Sequence, residues 1–342
     1  MSFDAGAMVR DYGDPWAEAR ACRTDAALFD FSFMARGRVS GPGALAAIEA
    51  LQPRPMADLP SGRIRYALRP DASGAIVADL TVWRIDETTF EAMSGRAVDI
   101  ADLGRLAGAR TDFADLSAAT AVLALQGPGA LAALRGLADP EALARLPYFG
   151  FTPATIDGIE CLVGRLGYTG ERGFEIVLPA ERRDAMWRTL SGRARPAGFA
   201  AADILRIESG FVLFANECRF AVSGEELGLP AFGGPSPWPA RVRLTGFEAR
   251  TAEPPVMWQA QRTTLPERAD EIRISSACHS PHLGRTIGFA FVRANAPSGL
   301  IDSLNDADRR FTDIRLLPMP FFDPEKRRPR GAWHPGTFLP MP

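Results

Sequence analysis

The chain has 342 residues, 46% of them apolar and 23% charged. It can bury a full core and is too long for one small module, which excludes a disordered, collagenous or coiled-coil protein. Thirty-nine Lys and Arg against 41 Asp and Glu leave a net charge of −2, too balanced for the basic surface that a nucleic-acid partner requires.

Taken in chain order, the start MSFDAGAMVRDYGD carries acids where a signal peptide needs a basic and then an apolar stretch, and no apolar run approaches membrane length. A cytoplasmic protein with no membrane contact is expected. The string GPGALAAIEAL at 41–51 returns as GPGALAALRGL at 127–137, each after an alternating apolar stretch. Both read as strand, Gly-Pro turn, helix, with Pro42 and Pro128 suited to a first helical turn. Between the echoes, IVADLTVWRI (76–85) predicts a buried strand, and Asp86-Glu87 followed by TTFEAM predicts a hairpin return. A strand pair follows around CLVGRLGY (161–168) and FEIVLPA (174–180), then helices over 181–190 and 201–209, the second stopped by Gly210. Beyond Pro230 the Gly/Pro-rich FGGPSPWPA and the short apolar runs IRISSA, TIGFAFV and DIRLLPMPFF predict an all-β unit. The tail DPEKRRPRGAWHPGTFLPMP holds five prolines and predicts irregular chain. The expected division is 1–235, 236–325 and 326–342.

No phosphate loop, dinucleotide fingerprint, HExxH or GxSxG occurs. The four cysteines, Cys22, Cys161, Cys218 and Cys278, show no CxxC spacing, so no disulfide framework or zinc clip is expected. Cys278, His279 and His282 crowd one loop, but Pro281 breaks the geometry and no carboxylate is near, so a structural role is expected and no metal site. Asp79 lies among Ile76, Val77, Leu80, Val82 and Trp83, as an acid, a base or a partner for a cation. A strand-end aspartate touching water would read the same. In GRLGYTGERGFEIVL (164–178), glycines surround Tyr168 and Glu171, and Glu175 sits between Phe174 and Ile176. That density of glycine allows a planar ligand to approach closely, although an ordinary hairpin has the same spacing. Asp203 and Arg206, one helical turn apart, say by themselves only surface ion pair.

The blocks LFDFSFMARGRVSGPGAL, RYALRPDASGAIVADLTVWRI, LALQGPGAL, GRLGYTGERGFEIVLPA, DILRIESGFVLFANE and ISSACHSPHLGRTIGFAFV, in this order from about residue 28 to 324, resemble the glycine-cleavage T-protein family. The resemblance implies an α+β cloverleaf of three units, two interleaved α/β units binding tetrahydrofolate and a C-terminal β-barrel. It implies Asp79 as the catalytic carboxylate, and Tyr66, Tyr168, Glu175 and Arg206 as cofactor-binding residues. Typical members carry I-D-D-L where this chain has Val77-Ala78-Asp79-Leu80, N-A-x-N where it has Ala92-Met93-Ser94-Gly95, and G-N-E where it has Ala215-Asn216-Glu217. From Ala78, Ala92 and Met93 the expectation is an apolar donor pocket and transfer of methyl from a small N-, S- or O-methylated donor to tetrahydrofolate. Aminomethyl transfer of the glycine-cleavage type, or folate binding without catalysis, is the alternative. A carrier protein or a flavoprotein is admitted as a partner, but no motif indicates one.

Overall fold

The structure is a computed structural model that describes residues 8–296 and 311–333. The chain runs α1 (Pro15–Thr24), β1 (Ala27–Asp30), β2 (Ala35–Ser40), α2 (Ala44–Leu51), β3 (Arg63–Pro70), β4 (Ile76–Arg84), β5 (Thr89–Ser94), α3 (Ala97–Leu106), β6 (Asp112–Asp115) and β7 (Thr120–Gln126). It continues through α4 (Ala130–Ala133), α5 (Pro140–Arg145), β8 (Phe151–Ile156), β9 (Ile159–Gly164), β10 (Gly173–Pro179), α6 (Arg183–Ser191), β11 (Arg195–Ala197), α7 (Phe199–Glu208) and α8 (Pro230–Gly233). Last come β12 (Val242–Thr251), β13 (Trp258–Gln259), β14 (Arg273–Ser280), β15 (Arg285–Arg293), β16 (Phe311–Leu317) and α9 (Arg327–Arg330).

The strands make three sheets, ordered β3-β4-β5-β2-β6, β11-β1-β7-β10-β9-β8 and β13-β14-β15-β12-β16. All pairings are antiparallel except β1 with β11. The two GPGAL strings hold the same position in different sheets: each follows a strand, β2 or β7, and turns through a glycine at positive φ, Gly41 at 99° and Gly127 at 122°. A side chain at Gly127 would meet the carbonyl oxygens of Asp25 and Cys22, so only glycine fits that turn. The second helix is cut to four residues, because Gly136 at φ 73° bends the chain away. The tail, expected to be irregular, makes a helical turn at Arg327–Arg330.

Alternation decides what each sheet buries. In β4, Leu80 and Val82 pack under α2 and α3, whereas Trp83 joins a second core with Phe29, Val122 and Ala124 of the second sheet and Phe289 and Phe291 of the third. Ile204, Leu205 and Ile207 of α7 belong to the same core, and every residue of that helix is buried. The three sheets therefore close on one helix, and the polar residues that face this centre are the ones with chemistry to explain.

Candidate active site

Asp79 follows the β4 alternation onto the central face, two residues from Thr81 and four from Trp83. Register places Leu68 of β3 opposite Asp79 and Tyr66 opposite Thr81, so Tyr66 is the diagonal neighbour on the same face. Burial pushes the Asp79 carboxyl up to about 6, against the pull of the hydrogen bond from the Tyr66 hydroxyl. Asp99 and Glu217 add a smaller upward push. The Tyr66 phenol is itself held well above its usual pKa by burial and by Asp79, with Cys218 and Tyr168 adding to it. Asp79 also acts on Tyr168. Asp79, Tyr66 and Tyr168 thus share one neighbourhood.

Tyr168 leaves β9 in the glycine turn and spends its hydroxyl on the Val212 carbonyl at 2.6 Å, with its ring stacked on Phe211 at 6.0 Å between centroids. The ring face, not the hydroxyl, is what it offers a ligand. Glu175 projects from β10 on the side of Val177, toward the central core, and pairs in register with Gly164. A side chain at Gly164 would strike the Trp83 indole, so this glycine lets Trp83 close in beside Glu175. Trp83 is anchored by its Nε1–H to the Thr81 hydroxyl at 3.0 Å. Asp79 lies about 13 Å from Trp83 along β4 at 3.3 Å per residue, and Trp83 meets the sheet that carries Glu175 at Gly164. Asp79 and Glu175 are both enclosed yet retain some accessible surface, the condition of side chains that line an internal space. Burial alone pushes the Glu175 carboxyl up to about 7, and it has no hydrogen-bond or ion-pair partner among the described residues.

The other glycines of the turn do not cradle a ligand. A side chain at Gly167 or Gly173 would run into Gln126, and one at Gly170, φ 75°, into the Ser209 hydroxyl. The close approach that the sequence suggests is made by the protein itself. Glu171, in the same turn, is sealed in a network with Arg23 at 3.2 Å and Arg328 at 2.9 Å; Arg23 also holds Glu208 at 2.7 Å.

Arg206 and Asp203 are one turn apart, as their spacing requires, but the pair is not on the surface: Arg206 is 0% and Asp203 2% exposed. Arg206 gives Nε to Asp203 at 2.9 Å, Nη1 to the Phe211 carbonyl and to Glu217, both at 3.1 Å, and Nη2 to the Ser276 hydroxyl at 2.6 Å. Glu217 completes the knot by accepting from Ser275 at 2.7 Å and Ser276 at 2.6 Å. With its donors directed at protein, Arg206 ties α7 to β14 and fixes the carbonyl of the residue that stacks on Tyr168. In this arrangement its hydrogen bonds run to protein groups.

The substitutions expected to open the donor side divide by face. Ala92 packs with Leu80 and Val82 beneath α2 and α3, and Ala78 alternates with them, so neither borders the centre. Met93 does, opposite Thr81. At Gly95, a side chain would meet the Phe214 ring, so that ring occupies the space a larger residue would need. Cys278 and His279, expected in one loop with His282, belong to strand β14, and only His282 lies in the turn after it: Cys278 is a buried free thiol, the His279 carbonyl accepts from Trp16, and His282 lies edge-on to Phe322 at 5.1 Å. No group of three potential metal ligands occurs among the described residues, all four cysteines are free, and no described helix is long and apolar enough to cross a membrane.

Sequence reasoning missed Trp83, whose role rests on a glycine in another sheet, and Glu217, whose partners are 58 and 59 residues away. Only the Ala-Asn-Glu string hinted at the latter.

Residues 9–233 match the GCVT N-terminal domain family. The chain is 32% identical to the aminomethyltransferase of Rubrobacter xylanophilus, across 97% of this chain and 92% of that one. It is 30% identical to the aminomethyltransferase of Streptomyces coelicolor, across 92% and 91%. Its fold superposes on the glycine cleavage system aminomethyltransferase T of Bartonella henselae with a TM-score of 0.76 at 24% identity, covering 94% of both chains. With the family match spanning most of the chain and relatives similar from end to end, the protein belongs to the glycine cleavage T-protein family.

Proposed function

We propose that the protein transfers a one-carbon unit to tetrahydrofolate in the aminomethyl mode. Membership of the family makes it a tetrahydrofolate-dependent transferase; the donor and the residue roles are our reading. The observation that carries it is the pairing of two enclosed carboxylates in opposite surroundings, Asp79 beside the Tyr66 phenol and Glu175 with no hydrogen-bond or ion-pair partner among the described residues.

The fit to the folate rests on Glu175. A buried carboxylate without donors is costly, and the pterin edge is a fork of ring N–H and exocyclic amine that satisfies both oxygens. The Tyr168 ring offers a flat apolar face alongside. Tetrahydrofolate supplies the nitrogen that receives the carbon. Asp79, with a pKa near 6, takes and returns a proton close to neutrality, and when ionised it balances positive charge on the leaving amine. The neighbouring Tyr66 hydroxyl favours the ionised form of that carboxyl.

Aminomethyl transfer takes precedence over methyl transfer for two reasons. The relatives similar along the whole chain are named aminomethyltransferases. Of the three replacements behind the methyl reading, Ala92 packs on the face turned away from the site, and strand alternation turns Ala78 to the same side as Leu80 and Val82. Met93 and the Phe214 ring over Gly95 are what still favours methyl transfer. The aminomethyl reading implies a carrier protein that presents the donor. Incubation with tetrahydrofolate and either an aminomethyl-lipoyl carrier protein or a panel of N-, S- and O-methylated compounds, followed by mass spectrometry, decides it. Methylene-tetrahydrofolate from the carrier is expected; 5-methyl product from the panel and none from the carrier would reverse the order.

A further inference from the structure

The edge of β3 next to Tyr66 carries a cavity of about 350 Å³ between the 53–58 loop and α8, lined among others by Arg54, Asp58, Arg65 and Pro230. Its two arginines are treated differently. Arg65 is neutralised by Asp58, at 2.6 Å. Arg54 is half-buried and has no ion-pair partner among the described residues; among them, the one hydrogen bond of its guanidinium runs from Nη1 to the Tyr66 carbonyl. Burial lowers its pKa, the neighbouring Arg65 lowers it further, and Asp58 opposes them. A desolvated, unpaired guanidinium at the wall of a cavity is an anion site waiting for its anion.

Arg54, at the wall of this cavity, is linked to the neighbourhood of Asp79 through two aromatic rings. The Arg54 guanidinium lies 5.0 Å from the centre of the Phe232 ring, and that ring meets the Tyr66 ring edge-on at 5.4 Å. Tyr66 in turn lies beside Asp79 and lowers the pKa of its carboxyl. From the centre of the Tyr66 ring to Arg54 the path is two steps of 5.4 and 5.0 Å, and the Asp79 carboxyl lies beyond that ring, so Arg54 is out of reach of a small amino-acid donor held at Asp79 but within the span of a pterin ring extended by an aminobenzoyl group. Phe232, flat and partly buried, suits an aromatic spacer.

We propose that Arg54 receives a carboxylate at a mouth of the site, and that this carboxylate is the glutamyl group of tetrahydrofolate rather than an acidic group on the donor. The inference rests on the folate reading above.

The test compares tetrahydrofolate with its glutamyl diamide, which keeps the shape and loses the charge, on the wild-type chain, Arg54→Gln and Arg54→Lys, by calorimetry. Wild type should bind the diamide about tenfold to a hundredfold more weakly than tetrahydrofolate, the range for one charge-assisted bond. Arg54→Gln should bind the two alike, at the diamide's affinity, and Arg54→Lys should recover part of the preference. Equal losses for both ligands in Arg54→Gln would mean that Arg54 only props the Tyr66 strand, and would overturn the proposal. Unchanged folate binding in Arg54→Gln, with a raised KM for a carboxylate-bearing donor only, would overturn the glutamyl assignment and move the carboxylate to the donor. Wild-type protein that binds neither ligand would remove the folate reading itself, a result separate from any effect of Arg54.

Discussion

Two sets of buried carboxylates meet at the centre of this molecule, and they are built in opposite ways. Glu171, Glu208 and Glu217 are 2% exposed or less, and each is met by arginine, hydroxyl or amide donors from other elements. Asp79 and Glu175 are also enclosed, yet one has a single phenol and the other no partner among the described residues. A buried charge surrounded by donors is a structural joint. One left short of donors keeps a shifted pKa and a reason to bind something. Unmet hydrogen-bonding capacity, not burial, separates the site from the scaffold here.

The largest effect expected from that difference is at Asp79. Asp79→Asn should lower turnover by roughly two to four orders of magnitude, the usual worth of a positioned acid or base, while folate binding measured by calorimetry stays near wild type. The fold should survive for a stated reason. The folded pKa of Asp79 is raised, so its contribution to stability is full below about pH 4 and is lost as pH rises through about 6. The asparagine variant escapes that loss, so at pH 8 its urea midpoint should equal or exceed wild type. Unchanged turnover would place the chemistry elsewhere.

The scaffold set should behave inversely. Arg206→Met leaves Asp203 and Glu217 buried without their cation, and breaking such a network costs about 3–5 kcal/mol. Thermal unfolding should register this before any assay of folate does. A variant that keeps its stability and loses only folate affinity would show that Arg206 touches the ligand after all.

How much of this was legible beforehand depends on the range of the interaction. The strand around Asp79, the hairpin after it and both GPGAL turns follow from alternation, β-branching and turn glycines, which act over a few residues. The family strings named Asp79, Tyr66, Tyr168 and Glu175, and the structure sets Asp79, Tyr66 and Tyr168 together with Glu175 on the facing sheet. Arg206 shows the limit: i, i+3 spacing gave its pairing with Asp203 but could not say that α7 is buried on all sides. That fact comes from α1 and the third sheet closing over it, and Ser276 is 70 residues away. The same limit governs Ala92, where sequence gives the substitution and only the pleat gives the face.

Glu175 comes next in size. Glu175→Ala should weaken tetrahydrofolate binding by about 2 kcal/mol, a charge-assisted hydrogen bond lost from an enclosed site. Its pH dependence sharpens the claim. In the free protein this carboxyl titrates near 7, whereas a ligand that donates to it requires the ionised form. Below pH 7 binding must therefore release a proton, and affinity should rise with pH until about 7 and then level off. Calorimetry in buffers of different ionisation enthalpy would detect the proton at pH 6. If wild type and Glu175→Ala share one slope, another group is responsible.

The smallest effect separates the two neighbours within the site. Tyr66→Phe keeps the ring on Phe232 and removes the hydroxyl that pulls the Asp79 pKa down. Without that bond the carboxyl should titrate at higher pH, so the acid limb of kcat/KM should move upward while the rate on the plateau changes little. At pH 7 a smaller fraction of Asp79 is then ionised, and the loss should be a few-fold, in line with about 1 kcal/mol for one hydrogen bond. The direction of the limb is the deciding reading. A fall in rate at every pH with the limb in place would mean that the Tyr66 hydroxyl acts on the substrate, and that Asp79 owes its position to the strand alone.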